Sequence, residues 1–485
     1  DPAWTTYDER VFYSTFDVTE LLREGENAIG AMLGNGWYNP LPLRMWGRIN
    51  LREHLAVGRP CLIARLAVEN ADGSRQTVVT DSTWKCAAGP ILRNSIYLGE
   101  VYDARREKPG WNRAGFDDTG WRPVAVVTEP LGELRAQPLP PIRLLERIRP
   151  AQITEPKPNV FIVDMGRNFA GWARLRVEGP AGTSVTMRFG ELLYDDGTLN
   201  VMTSVCGQIK REGVGGPGAP PVADASDTYI LRGEEMESYT PRFTFHGFRY
   251  VELTGFPGRP TLESIEGIPL GSDLEPAGVF ACSDETLNRI QAMVVNTFRG
   301  NIFAVQSDCP QRERFGYGGD IVATSDAFLF NLDMAAFYAK TVADFADAVR
   351  PNGGLTETAP YVGIAAGGFG GGSGPIGWAI AHPLLLGDLY RYYGDRRLID
   401  EQYGVARRWL ELVRPFAEDG IIDRGISDHE SLVPKPVAVT GTAFYHQAAA
   451  LLAELARLTG RDDDARRYGD LADDIGRSFV KTFMS

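Results

Sequence analysis

Ser307-Asp308-Cys309-Pro310-Gln311-Arg312-Glu313-Arg314-Phe315-Gly316-Tyr317-Gly318-Gly319-Asp320 is the densest polar stretch of the chain. It lies between two helical patterns and so reads as a loop. Three carboxylates, two guanidiniums, aromatic rings and three glycines crowd into it. The glycines permit tight turns that can aim several side chains at one small volume. A sugar site uses this mixture: planar groups for hydroxyls, an aromatic face for the ring, and a carboxyl able to donate a proton. A solvated turn laced with Arg–Glu pairs uses the same residues, and composition alone does not separate the two.

Working outward, the pattern after about residue 280 is helical. Ser283 can cap a helix with Asp284 and Glu285 in its first turn, and Leu287, Ile290, Val294 and Phe298 then share one face. Further helices are expected near 321–349, 376–393, 396–416, 441–459 and 462–484, one of them with the stripe Leu398, Tyr403, Ala406, Leu410 and Val413. Before residue 280 the chain alternates with period two. Runs such as Val11-Phe12-Tyr13-Ser14-Thr15-Phe16 and Ser184-Val185-Thr186-Met187-Arg188-Phe189 are closed by turn residues. A Pro-rich connector separates two such regions, from Gln137-Pro138-Leu139-Pro140-Pro141 to Glu155-Pro156-Lys157-Pro158. The expected organisation is a β domain over 1–135, a linker over 136–158, a second β domain over 159–278 and a helical domain over 279–485. Gly213 to Ala225 is Gly/Pro-rich and reads as a mobile loop.

The chain has 485 residues, 44% hydrophobic and 23% charged, as expected of a globular chain of about three domains. No apolar stretch approaches the ~20 residues of a spanning helix. The net charge of −13 gives nucleic acid and anionic membrane surfaces a low prior as partners. Five scattered cysteines and five histidines show no metal-ligand spacing, so no metal or cofactor is expected, and reduced thiols point to a cytoplasmic setting. The start at Asp1-Pro2-Ala3-Trp4 and the end at Phe483-Met484-Ser485, inside a helical pattern, read as truncation at both ends.

Asp308-Cys309-Pro310-Gln311-Arg312-Glu313 with Gly319-Asp320 resembles the signature loop of the bacterial α-L-rhamnosidases, glycoside hydrolase family 78. Leu33-Gly34-Asn35-Gly36-Trp37-Tyr38, Gly99-Glu100-Val101-Tyr102-Asp103-Ala104-Arg105 and Phe116-Asp117-Asp118-Thr119-Gly120-Trp121 look like that family's N-terminal β-sandwich. Asn168-Phe169-Ala170-Gly171-Trp172 and Pro241-Arg242-Phe243-Thr244-Phe245-His246-Gly247-Phe248-Arg249-Tyr250 look like its second β domain. The resemblance runs nearly end to end. It implies two β-sandwich domains followed by an (α/α)₆ barrel. Such a barrel needs about 350 residues, so only its first half fits here.

The resemblance implies an inverting hydrolase that releases terminal α-L-rhamnose, with Glu313 as general acid. Asp308 and Arg312 match residues that hold sugar hydroxyls, Asp320 matches a carboxylate near the ring, and Tyr317 stands where many relatives have Trp. Some members carry one more residue between the Arg and the acid. Inversion needs a second carboxyl ~6.5–9.5 Å away. That base is expected late in the barrel, so this chain alone is expected to be inactive. The acid must stay protonated near neutral pH, which calls for burial or a facing carboxylate such as Asp308 or Asp320, with Arg312 and Arg314 turned to hydroxyls or aspartates.

Gly377-Trp378 resembles a family Gly-Trp motif, but Ala379-Ile380-Ala381 replaces the expected Gly-Asp; Trp378 lines the sugar pocket or packs a helix. Ser427-Asp428-His429-Glu430 sits where relatives show Gly-Asp-Trp, so Asp428, His429 and Glu430 either contact substrate or cap a helix. Glu357 reads as a cleft-wall residue or a solvated loop carboxylate, with the prior on the latter. The Gly367–Gly374 run lacks the Lys-Ser/Thr of a phosphate cradle and reads as a flexible barrel loop. His246 and His446 read as core residues. The partner is thus a rhamnose-containing carbohydrate, and the oligomeric state is open, a homodimer being one option. Two competing readings are a lyase cleaving rhamnose–uronic acid linkages through His429 and Arg424, and a non-catalytic carbohydrate-binding protein.

Overall fold

The computed structural model describes residues 2–40, 44–46, 48–204, 225–429 and 431–484. The strand Val160–Val177 organises the middle of the chain. Its apolar side chains Ala173, Leu175 and Val177 are buried, as period-two geometry requires of one sheet face. It pairs antiparallel with His246–Thr254 along one stretch and with Ile265–Ser272 along another. Ser184–Gly190 and Ser226–Ile230 extend the sheet outward.

Two segments assigned by sequence to other units are built into this ten-stranded sheet. Gly99–Asp103 runs parallel to Ser226–Ile230, and Ile91–Ser95 pairs with it at the edge. The close approach needs a glycine: a Cβ on Gly99, at φ +79°, would lie 2.0 Å from the Ser226 carbonyl oxygen. The Pro-rich 136–158 stretch is likewise no free linker. Ile142–Leu144 pairs with Ile265–Ser272, and Gln152–Lys157 pairs with Val160–Val177 through a register shift between Thr154 and Lys157 that absorbs Pro156. The proline signal was real, and the stretch it marks is built into an irregular sheet edge rather than left as a free connector. Among the described residues the rest of the N-terminal region forms four two-stranded ladders, such as Arg10–Tyr13 with Glu133–Ala136 and Arg65–Glu69 with Arg75–Val79.

Among the described residues eight α-helices follow: α1 (Glu285–Gly300), α2 (Gly318–Asn331), α3 (Ala335–Asp347), α4 (Ile376–Ala379), α5 (Ala381–Tyr393), α6 (Arg396–Val413), α7 (Val437–Leu458) and α8 (Asp462–Phe483). Asp284, rather than Ser283, caps α1 by accepting from the Thr286 and Leu287 N–H groups. The stretch expected as one helix over 321–349 breaks into α2 and α3. At the break Leu332 and Met334 are buried, and the Asp333 N–H donates to the Glu275 carbonyl. Short links join α2 to α3, α5 to α6 and α7 to α8, and the last two pairs pack against each other as hairpins. The α6 stripe is buried as expected. The α1 stripe is not: Phe298 is buried, whereas Leu287 and Ile290 are exposed. His246 is buried but paired with Asp227, and His446 lies exposed on α7 rather than in the core. Among the described residues, no helix is long and apolar enough to cross a membrane.

The helices share one large apolar core and the sheet has its own. A third cluster joins Trp4, Met45, Leu51, Tyr97 and Leu98 of the N-terminal region to Val305, Phe315, Tyr317, Val362 and Ile364 of the helical region. It lies directly under the Ser307–Asp320 loop.

Candidate active site

Three loops converge where α2, α4 and α7 begin. The first is the 301–317 loop. Its backbone folds back on itself: the Asp308 N–H donates to the Phe315 carbonyl, and the Arg314 N–H to the Cys309 carbonyl. Side chains tie the same turn. The Cys309 thiol donates to Asp308 Oδ2 at 2.6 Å, the Glu313 N–H donates to Cys309 Sγ at 3.2 Å, and the Phe315 N–H donates to Asp308 Oδ1 at 3.2 Å. The second loop carries Glu357. Its carbonyl accepts from the Gly318 N–H at 2.9 Å, and Tyr317 and Thr358 form a bridge. The third carries His429, whose ring meets Trp378 edge-on at 5.6 Å. Trp378 covers the start of α2, where a Cβ on Gly319 would lie 2.3 Å from its indole ring.

Glu313 is half-buried, and its Oε2 accepts a 2.6 Å hydrogen bond from the Tyr317 hydroxyl. The Tyr317 ring is buried near Phe315, so it supports the carboxyl rather than presenting an open platform. The Tyr97 hydroxyl donates to the Glu313 carbonyl at 2.8 Å. Burial, reinforced by the charge of Glu313, pushes the Asp308 carboxyl up to about 7. Burial and the same charge push Glu357 up to about 7, against the Ala366 N–H and Arg48. Asp320 is also raised by burial, with His429 opposing. Carboxyls gathered this way disfavour one another's ionisation, so burial and mutual repulsion both favour retention of a proton in the cluster.

The structure therefore brings Asp308, Arg312, Glu313, Tyr317, Asp320, Trp378 and His429 into one neighbourhood. Arg312 is exposed, within the electrostatic reach of Cys309, Glu313 and Asp308. Asp428 is exposed in a turn closed by the Ser431 N–H. Glu430 lies outside the described residues, as does 213–224, the bulk of the stretch read as a mobile loop.

Two expectations are corrected. Glu357 is 5% exposed, not a solvated loop carboxylate, because its backbone pairs with the start of α2. Arg314 is not turned outward to meet a ligand's hydroxyls. It is 1% exposed, donates to the Ile96 carbonyl and lies over the Phe245 ring at 4.4 Å. Arg424, the cation of the lyase reading, donates to the Gly368 carbonyl at 2.7 Å and lies over the Phe416 ring. Sequence reasoning missed Tyr97 altogether; its neighbour Gly99 was legible, but nothing local signalled a contact 216 residues away.

Comparison with known proteins agrees with this arrangement. Residues 1–146 match the alpha-L-rhamnosidase N-terminal domain, 154–270 the bacterial alpha-L-rhamnosidase concanavalin-like domain, and 275–485 the bacterial alpha-L-rhamnosidase 6 hairpin glycosidase domain. An alpha-L-rhamnosidase of Streptomyces avermitilis is 35% identical over 489 residues, covering 100% of this chain and 44% of the relative. One from Formosa agariphila is 30% identical, covering 94% and 48%. Among solved structures, the alpha-L-rhamnosidase of Dictyoglumus thermophilum superposes with a TM-score of 0.90 at 35% identity, covering 100% of this chain and 52% of that one. The Streptomyces avermitilis enzyme complexed with L-rhamnose gives 0.85 at 33%, covering 99% and 44%. The chain thus spans about half the length of these relatives. With all three domain types matched in order, the chain belongs to the bacterial α-L-rhamnosidase family.

Proposed function

We propose that the complete gene product hydrolyses terminal α-L-rhamnosides with inversion, and that Glu313 is its general acid. The observation that carries this reading is the proton-holding cluster: Glu313 with Tyr317 on its carboxyl, beside the raised carboxyls of Asp308 and Glu357. Arg312, Asp308 and Asp320 stand where they can hold hydroxyls of a rhamnose ring, and Trp378 with His429 closes one side. The L-rhamnose complex of the Streptomyces avermitilis relative supports the choice of sugar. The general base that activates water is assigned to none of these carboxyls. With Arg424 bonded to the Gly368 carbonyl, the cation that the lyase reading named is engaged elsewhere, and the hydrolase is preferred.

The test is release of p-nitrophenol from p-nitrophenyl α-L-rhamnopyranoside by the complete gene product, beside Glu313→Gln. Proton NMR of the first-formed anomer reads the stereochemistry. β-L-Rhamnose from the wild type, and at least a hundredfold loss of kcat in the variant, are expected. A folded, inactive wild type, or a Glu313→Gln variant of wild-type kcat, refutes the assignment.

A further inference from the structure

Glu191 stands at the end of the strand Ser184–Gly190, far from the helical domain in sequence. Its N–H donates to Thr203 Oγ1 at 3.0 Å, which fixes the backbone at that corner. The side chain crosses to the catalytic loop with both oxygens engaged. Oε1 accepts from Asn168 Nδ2 at 2.7 Å, and Oε2 accepts from Gln311 Nε2 at 2.8 Å. The Arg312 guanidinium acts on the same carboxylate electrostatically. The contact depends on an open sheet surface: a Cβ on Gly247 would lie 2.8 Å from Gln311 Cβ and 3.0 Å from its backbone nitrogen. Three strands of the sheet domain, through Asn168, Glu191 and Gly247, thus seat the segment immediately before the acid.

We propose that Glu191 is a positioning residue of the rhamnose site, anchoring Gln311 and restraining the Arg312 guanidinium in the orientation that binds the sugar. The proposal rests on the reading of Arg312 as a hydroxyl-holding residue. The physical need is specific. Arg312 is exposed, long and flexible, so ordering its side chain carries an entropic cost. Within the loop its guanidinium bonds to Cys309 and feels Glu313 and Asp308, while on the sheet side Glu191 holds the adjoining Gln311 at 2.8 Å and acts on Arg312 through its charge. Without the sheet-side charge, the guanidinium relaxes towards the loop carboxylates and leaves the position a hydroxyl would meet. A neutral acceptor in place of Glu191 would still hold Gln311, but it would exert no such pull on Arg312. Partner groups of this kind orient the residues that touch a ligand and are part of the site's function.

A double-mutant cycle in the complete gene product tests this, using p-nitrophenyl α-L-rhamnopyranoside and the variants Glu191→Gln, Arg312→Ala and both together. Glu191→Gln keeps the shape and an acceptor for Gln311 while deleting the charge. It is expected to raise KM about five- to tenfold, more than it lowers kcat, with the thermal melting profile unchanged. In the Arg312→Ala background the same change should have no further effect on KM, because the group it restrains is gone. Full multiplicativity of the two effects, or an unchanged KM in Glu191→Gln, overturns the proposal while leaving rhamnosidase activity standing. A folded wild type without that activity removes the functional reading first, and this inference with it.

Discussion

Glu100→Gln should flatten the pH dependence of stability of the sheet domain. Glu100 is fully buried where Gly99–Asp103 joins the second sheet. It accepts from the Tyr239 hydroxyl at 3.1 Å and the Arg242 N–H at 3.3 Å, and its own N–H donates to Asp227 Oδ1 at 2.9 Å. Burial first, and then the charge of Asp227, raise its carboxyl from 4.5 to about 7. A carboxyl raised on folding binds its proton more tightly in the folded state. The associated stability is therefore fully present below about 4.5 and lost as pH rises through about 7. At about 1.4 kcal/mol per unit, the loss across that window is about 3 kcal/mol. The amide carries no charge to bury, so it removes this dependence. Urea denaturation from pH 4 to 8, followed by tryptophan fluorescence, should give a shallower decline in the variant. The difference between the two slopes isolates Glu100 from Asp308 and Glu357, which titrate in the same window. Identical slopes in variant and wild type would show that Glu100 does not change its ionisation on folding, and the argument from burial would be wrong.

Two further perturbations bear on the site. Tyr317→Phe removes the hydroxyl bonded to Glu313 Oε2 and keeps the packed ring. The lost hydrogen bond to an ionisable group, about 1.5–3 kcal/mol, predicts a kcat on the p-nitrophenyl rhamnoside at least tenfold lower with little change in melting temperature. Gly319→Ala places a methyl 2.3 Å from the Trp378 indole. Overpacking of this kind costs about 1–3 kcal/mol, so a lower melting temperature and a shifted tryptophan emission are expected, and neither should appear if Trp378 yields freely.

Much of the site was legible because the catalytic loop is contiguous: Asp308, Arg312, Glu313, Tyr317 and Asp320 fall within 13 positions of one another. The helical stripe of α6 was legible for the same reason, since period 3.6 is a local property. What the sequence did not disclose is non-local. Arg314 reads as a loop charge, yet it is buried where the Ile96 carbonyl accepts from its Nη1 and the Phe245 ring, from another region, covers one face. Glu357 reads as solvated, yet pairing with Gly316–Gly318 buries it. The connector prolines argued for a linker because proline cannot donate to a ladder. They could not say that a register shift would accommodate Pro156 at a sheet edge.

These non-local contacts explain why the acid loop needs the sheet domains at all. A loop with three glycines has high conformational entropy in the unfolded chain, and Arg314 adds a positive φ of 64° that a non-glycine residue adopts only when its surroundings impose it. The loop's own hydrogen bonds close the turn, but they do not locate it relative to α2. Location comes from outside: the Tyr97 hydroxyl on the Glu313 carbonyl, the Ile96 carbonyl under Arg314, and Glu191 on Gln311. Each contact comes from a segment before residue 200, and together they hold the loop from both sheet regions. Separating the N-terminal 200 residues from the helical region would then strip Ala3, Phe12 and Leu139 from the apolar core of the helices and leave Glu313 without these outside supports. The β domains are better understood as supports of the candidate site's loop than as appended binding modules.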